Sequence, residues 1–519
     1  MPSPAVIVGG APLRPSDVVD VARHGARVQL APEALSRVAT SRAIIDALAD
    51  DPAPHYGIST GFGALATTFI APERRHTLQA SLIRSHAAGT GAEVEAEVVR
   101  ALQLLRLQTL ATGRTGVRID VVETYAAMLN AGITPVVYEY GSLGCSGDLA
   151  PLSHVALAAL GEGHVRVGGQ LVAASEALAS AGIAPLRLRE KEGLALINGT
   201  DGMLGMLLLA LHDLEILLDT ADVAAAMSVE SQLGTDAVFA ADLQALRPQM
   251  GQAVSAARLR SLLAGSGIMA SHRDPSVCTR VQDAYSLRCS PQVHGAARDT
   301  ADHAALIASR ELASAVDNPV VTLDGRVESN GNFHGAPVAY VLDFLAIAAA
   351  DVASISERRT DRALDPARNH GLPPFLAHEV GVDSGMMIAQ YAAAGIVSEL
   401  KRLAAPASVD SIPSSAMQED HVSMGWAAAR KLRRSIDGLT RVLGIEVLTA
   451  ARALDLRAPL APAPATAAVR DLVRTVADGP GPDRFLSPDI DAVAALVASG
   501  AIVRAAAETL DDLTSVHPL

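Results

Sequence analysis

Between about residues 421 and 455 the chain holds Leu432, Ile436, Leu439, Leu443 and Val447 at helical spacing, with no proline among them. That stripe predicts a helix far longer than the globular average of about 11–12 residues. Comparable stretches cover roughly 201–232, 298–315, 336–358 and 385–404. A long amphipathic helix is held in place by covering its apolar face, and the covering surface here must be other helices. Aromatic residues are only 3% of a chain that is 50% hydrophobic, with alanine and leucine prominent, which favours helix over sheet. The expected fold is mainly α: a long-helix bundle with a smaller N-terminal region.

Ahead of the bundle, Ala5–Val8 reads as a short strand followed by two modest helices. A glycine-rich segment, YGISTGFGALA (56–66), comes next. It contains Gly61-x-Gly63-x-x-Ala66, a formal match to a dinucleotide-binding loop, but no convincing strand precedes it and no acidic residue follows at the required distance. Helices are expected from about His76 to Ala88, from near Glu93 with Val94, Val98, Leu102 and Leu105 on one face, and up to Ala131, where Gly132 stops the third. Residues 162–190 read as a small hairpin, 265–297 as a long functional loop, and APLAPAPAT (458–466) as a break before two C-terminal helices. There is no internal repeat. The expectation is one integrated unit over 1–519, with an N-terminal region to about 200, a central bundle over about 201–457 and C-terminal helices over about 458–519.

The formal charge is −14 with no basic tract, which argues against binding nucleic acid or an anionic membrane. The longest apolar run, MLGMLLLAL (203–211), is too short on its own to span a bilayer. The three cysteines, Cys145, Cys278 and Cys289, show no CxxC spacing, so neither a disulfide framework nor a structural zinc site is expected. With no basic, apolar leader at the N-terminus, a cytoplasmic location is expected. HEVGV (378–382) lacks the second histidine of a zinc motif.

The chemistry concentrates in GSLGCSGDLAPLSH (141–154). Asp148 reads as an N-cap, Pro151 fits an early helical turn, and an apolar helix follows, so Ser146 lies just ahead of a positive helix end. A serine-hydrolase reading fails, because a nucleophile elbow needs Gly-x-Ser-x-Gly after a strand, whereas here Gly147 directly follows the serine. Small flanking residues permit different chemistry. Attack of the Gly147 nitrogen on the carbonyl of Cys145, with loss of two waters, closes a five-membered ring bearing a methylidene derived from Ser146. A side chain at position 147 would hinder that turn.

This segment closely resembles the signature of the aromatic amino-acid ammonia-lyases, which form 4-methylidene-imidazol-5-one (MIO) from Ala-Ser-Gly. The resemblance runs from about Tyr56 to Leu456 through YGISTGFG, SLIRSHAAG, EGLALINGT, VQDAYSLRC, DNPVV…NGNFH and SVDSIPSSAMQEDHVSMG, in the family's order. It implies a MIO formed from Cys145, Ser146 and Gly147 on a loop of the N-terminal region, with no metal and no diffusible cofactor. It also implies a homotetramer whose active sites are shared between subunits. Cys145 replaces the commoner alanine, but only its backbone enters the ring. Ser59 stands where asparagine is frequent, Asp201 where glutamine is common, and Met417 where asparagine is usual.

The reaction explains the remaining residues. Eliminating ammonia needs an electrophile to improve the leaving group and a base at the β-carbon. By resemblance Tyr56 is that base; alone it reads as a turn tyrosine. Arg288 is the carboxylate anchor, suited to a bidentate grip, with Tyr285 and Gln282 beside it. Asn198, otherwise a helix cap, contacts substrate or prosthetic group, and Phe333, otherwise core, walls the ring. Ser85-His86 together with Gln418-Glu419-Asp420-His421 most resembles members acting on histidine: a carboxylate at Glu419 suits an imidazole N–H, with His86 lining the same pocket. The implied activity is conversion of L-histidine to trans-urocanate and ammonia, the first step of histidine degradation. The alternative is a tyrosine or phenylalanine ammonia-lyase, or an aminomutase, using the same MIO.

Overall fold

The computed structural model describes residues 5–63, 67–144, 147–274, 276–278 and 280–510. Long helices dominate: Asp201–Ser231, Ser290–Leu312, Ala336–Leu364, Met387–Leu403 and Gly425–Asp455. All five expected stretches are therefore helical, and the stripe Leu432, Ile436, Leu439, Leu443 and Val447 is buried. The apolar run 203–211 is part of a helical stretch, Glu192–Ser231, that is long and apolar enough to cross a membrane, which corrects the reading of that run as too short. The most apolar window of this stretch is 94% buried within the protein, so the protein itself covers it.

The chain divides into two compact units. The first comprises residues 1–209, 305–343 and 406–430, and the second 210–304, 344–405 and 431–519. Strands are few and short. In the first unit Val6–Val8 pairs in parallel with Val28–Leu30, which lies between the helices Pro15–Arg23 and Pro32–Asp50. Helix Ala96–Ala111 starts later than expected because Thr90–Glu93 pairs with Tyr138–Tyr140. Val98, Leu102 and Leu105 are buried as their spacing required, and so are Gln103 and Arg106. The hairpin forms from His164–Val167 and Gln170–Ala173.

Three expectations change in detail. The 265–297 segment is partly helical, with Tyr285–Arg288 one short helix and Ser290 opening the next. Three C-terminal helices rather than two follow the proline-rich break: Pro464–Arg474, Ser487–Ala498 and Ala501–Ala507. Gly500, at φ +71°, separates the last two. Asp148 does not cap its own helix, Leu149–Ala159. Its carboxylate instead accepts N–H groups from the start of helix Asp201–Ser231, Gly202 at 2.7 Å and Met203 at 3.2 Å.

In the second unit the apolar interior encloses two charged clusters. Arg359 pairs with Glu446 through both carboxylate oxygens, at 2.5 and 2.9 Å, and Ser228 donates to the same carboxylate at 2.7 Å. Asp222 accepts from His294 Nδ1 at 2.8 Å and from Arg298 at 2.7 Å, with Arg258 at 3.5 Å. Burial alone would raise the Asp222 carboxyl, but Arg298, His294 and Arg258 outweigh it and hold the group well below the usual carboxylate range. Its stabilising contribution is therefore present at pH values above the ordinary carboxylate range and is lost as pH falls toward the lower folded value. Asp222→Asn is expected to cost about 3–5 kcal/mol at neutral pH by leaving buried cations unpaired. Thermal melts should show the deficit shrinking as the pH is lowered from 7 toward 3.

Candidate active site

In the first unit a cavity of about 1000 Å³ gathers side chains from six sequence segments. Tyr56, His86, Asn198, Phe333 and Glu419 all line it, as do Gln418 and His421. Of the six motifs named with the resemblance, five thus reach this wall.

Each residue is held by local structure. The segment carrying Tyr56 folds back on itself: Thr60 and Phe69 bridge, Ile70 N–H donates to the Ser59 carbonyl at 2.9 Å, and Gly61 N–H to Thr68 at 3.0 Å. This ribbon is unlike a dinucleotide loop. Ser59 is buried and its Oγ accepts the His55 N–H at 2.9 Å, pinning the turn that presents Tyr56. The Tyr56 hydroxyl accepts the Gly63 N–H at 3.2 Å, and Phe62 packs edge-on against the Tyr56 ring.

His86 ends helix Arg75–His86. Its Nδ1 lies 2.9 Å from the Leu82 carbonyl. The Ser85 hydroxyl lies 3.0 Å from the same nitrogen, and the two contacts fix the ring orientation. Glu419 forms a tight ladder with Ser414, each backbone bonding the other at 2.8 and 3.2 Å, and Glu419 Oε2 accepts the Ser414 hydroxyl at 2.8 Å. Ser415, Ala416 and Met417 all have positive φ, an uncommon run for residues with side chains. That strained loop sets the height of Glu419 on the wall.

Asn198 sits in the break between helices Glu192–Ile197 and Asp201–Ser231. It is more than a cap: its Nδ2 donates to the Asn318 carbonyl at 3.1 Å. The break is closed by Arg106, which is fully buried. Arg106 donates to the carbonyls of Ala195 at 2.9 Å and Asn198 at 3.0 Å, and its Nε donates to Asp201 at 3.1 Å. Asp201 is therefore the buried counter-ion of Arg106, which accounts for an acid at that position. Burial raises the Asp201 carboxyl, with Arg106 opposing.

Cys145 and Ser146 lie outside the described residues. Their flanks are defined. Gly144 bridges Ser423, whose N–H donates to the Gly144 carbonyl at 3.1 Å. Gly147 has φ +76°, and a Cβ there would lie 2.1 Å from Met203 Cε. Ser142 Oγ donates to the Gly147 carbonyl. Asp148 is fully buried, and burial followed by the neighbouring Asp201 charge pushes its carboxyl well above the usual range against the two amides it accepts. His154 is structural: Nε2 accepts the Gly89 N–H at 3.0 Å, and burial lowers its affinity for a proton.

Gln282, Tyr285 and Arg288 belong to the second unit. Tyr285 is 71% exposed, and the Arg288 guanidinium lies over its ring at 4.7 Å. None of the three lines the cavity described above. Among its described lining residues there is no lysine or arginine. Among the described residues, too, no group of histidine, cysteine and acidic side chains is arranged to hold a metal ion. Motif reading did not single out Arg106, Asn318, Met203 or Ser414. Arg106 carried one usable signal, a charge set among Leu104, Leu105, Leu107 and Leu110.

The family model for aromatic amino acid lyase matches residues 13–475. Histidine ammonia-lyase of Streptomyces coelicolor is 62% identical over 503 residues, covering 96% of this chain and 98% of that one. The Streptomyces griseus histidine ammonia-lyase is 63% identical over 504 residues, with the same coverage. Among solved structures, tyrosine aminomutase from Streptomyces globisporus superposes with a TM-score of 0.92 at 38% identity, covering 98% of this chain and 99% of that one. Histidine ammonia-lyase from Trypanosoma cruzi does so at 0.90, also at 38% identity, covering 99% and 98%. The matched span contains every motif of the cavity wall, and the chain belongs to the aromatic amino acid lyase family.

Proposed function

We propose that this protein is a histidine ammonia-lyase, eliminating ammonia from L-histidine to give trans-urocanate. The observation that carries the substrate is Glu419 on the same cavity wall as Tyr56, Asn198 and Phe333. A carboxylate accepts an imidazole N–H, whereas a phenyl ring offers it no donor. The tyrosine aminomutase likeness supports the fold equally well, so the discrimination rests on this carboxylate and on the high identity of the Streptomyces relatives.

The family is MIO-dependent in general. The residues here fit that group: position 147 is a glycine with a left-handed backbone, which suits the tight turn of closure through its amide nitrogen, and a Cβ there would press on the end of Met203. When formed from Cys145, Ser146 and Gly147, the group supplies an electrophile that turns the amine into a better leaving group. The chain's own side chains do the rest. Glu419 orients the imidazole, Tyr56 takes the β-proton, and Asn198 stays fixed by Asn318 and Arg106 so that its side chain meets the bound amino acid. Phe333 gives the wall an apolar face that excludes water.

A substrate carboxylate needs a cation, and no described residue lining the cavity provides one. The reading therefore includes a homotetramer in which another copy contributes Arg288, steadied by Tyr285 and accompanied by Gln282. Exposed apolar side chains on the long helices support assembly: Phe344 is 46%, Ile347 47%, Ile388 61% and Tyr391 62% exposed. The free thiols Cys278 and Cys289 suit a cytoplasmic enzyme.

With L-histidine, L-tyrosine and L-phenylalanine offered separately and the conjugated acid followed by absorbance, histidine is expected to turn over fastest. Turnover of tyrosine with none of histidine would sink the substrate assignment. Glu419→Gln is expected to lower kcat/KM for histidine by about 10- to 150-fold, the value of one charge-assisted hydrogen bond; an unchanged rate would remove Glu419 from the imidazole pocket. Ser146→Ala and Arg288→Ala chains, each inactive alone, should recover activity when unfolded and refolded together. Mixtures as inactive as their parents, under conditions where wild type refolds, would exclude a shared site.

A further inference from the structure

Met203 lies in the first turn of helix Asp201–Ser231 and is fully buried. Its amide donates to Asp148 at 3.2 Å, so its backbone is tied to the residue after Gly147. Its side chain is tied more widely. A Cβ on Gly147 would lie 2.1 Å from Met203 Cε, one on Gly335 2.8 Å from Cε, and one on Gly425 2.7 Å from Sδ. Three segments distant in sequence thus converge on one thioether, and each presents a glycine. The end of a methionine usually yields to an added methyl group, but here backbone closes on it from three sides. The Gly335 segment carries Phe333, and the Gly425 segment continues from Glu419 through Ser423.

We propose that Met203 is a positioning residue for ring closure at Cys145-Ser146-Gly147, an inference that rests on the function proposed above. In that closure the Gly147 nitrogen bonds to the Cys145 carbonyl carbon and its proton passes to the carbonyl oxygen. That oxygen leaves as water with the Ser146 amide hydrogen. The Ser146 hydroxyl leaves as the second water with the Ser146 α-hydrogen. The first bond requires Gly147 to press back on a carbonyl two residues earlier. The packed thioether blocks outward relaxation of Gly147 and so keeps the nitrogen at close range. An unbranched, polarizable side chain suits the irregular gap between three backbones.

Intact mass reads this directly, without activity. Wild type and Met203→Leu, which keeps the bulk, are expected to emerge with both waters lost. Met203→Ala is expected to close about tenfold more slowly or worse, giving chains that retain both waters while their far-ultraviolet circular dichroism matches wild type. Met203→Val, a smaller truncation, is read in the same way should the alanine variant fail to fold. A truncated variant that folds and loses its waters at the wild-type rate would overturn the role. So would Met203→Leu as slow as the alanine variant. A wild-type chain keeping both waters would instead overturn the proposed function, which separates the two failures.

Discussion

A guanidinium with no access to water closes the break between helices Glu192–Ile197 and Asp201–Ser231. Arg106 meets two carbonyls left over at the end of the first helix and the carboxylate that opens the second. Helix ends buried without such partners are costly. A charge buried without a counter-ion costs several kcal/mol more. Both problems are solved by one side chain, and the solution fixes Asn198 between the two helices. Arg106 is therefore part of the site although it lies behind the cavity wall.

The second helix carries that order to Gly147 and Asp148. Its first N–H groups are claimed by Asp148, and its third residue fills the space beside Gly147. The helix N-terminus that Asp148 satisfies is not the one expected. Asp148 begins Leu149–Ala159 in sequence yet spends its carboxylate on Asp201–Ser231. One oxygen of that carboxyl, Oδ1, has no hydrogen-bond partner among the described residues. With Asp201 nearby and both groups buried, a proton is retained on Asp148 more readily than in water.

What the sequence made legible follows from periodicity and from chemistry that needs fixed residue types. Long stripes such as Leu432 to Val447 identify a helix wherever it packs, so the bundle was readable. Tyr56, His86, Asn198, Phe333 and Glu419 stood in motifs dense enough to mark them, and they share one cavity. Asp148 was misread because an N-cap preference is local, whereas its real partner lies 54 residues away. Met203 was invisible for the opposite reason: a methionine on an apolar helix is the commonest kind of core residue. Only the glycines at 147, 335 and 425, brought together by folding, distinguish it.

Charge decides how far one chain can go. The cavity wall carries Glu419 and Tyr56, the groups that the proposed reaction would use for the imidazole and the β-proton, but no described lysine or arginine for a substrate carboxylate. Arg288 and Tyr285 stand together on a short helix, the tyrosine ring largely open to solvent beneath the guanidinium. Such a stacked pair keeps its planar donors oriented before any ligand arrives. On the proposed function, a site split in this way is completed by assembly. The exposed apolar residues of the long helices would then have a catalytic consequence: burying them between copies would bring Arg288 to this cavity. On the proposed function, assembly and substrate recognition become one requirement, because among the described residues lining this cavity Glu419 and Asp420 are joined by no lysine or arginine.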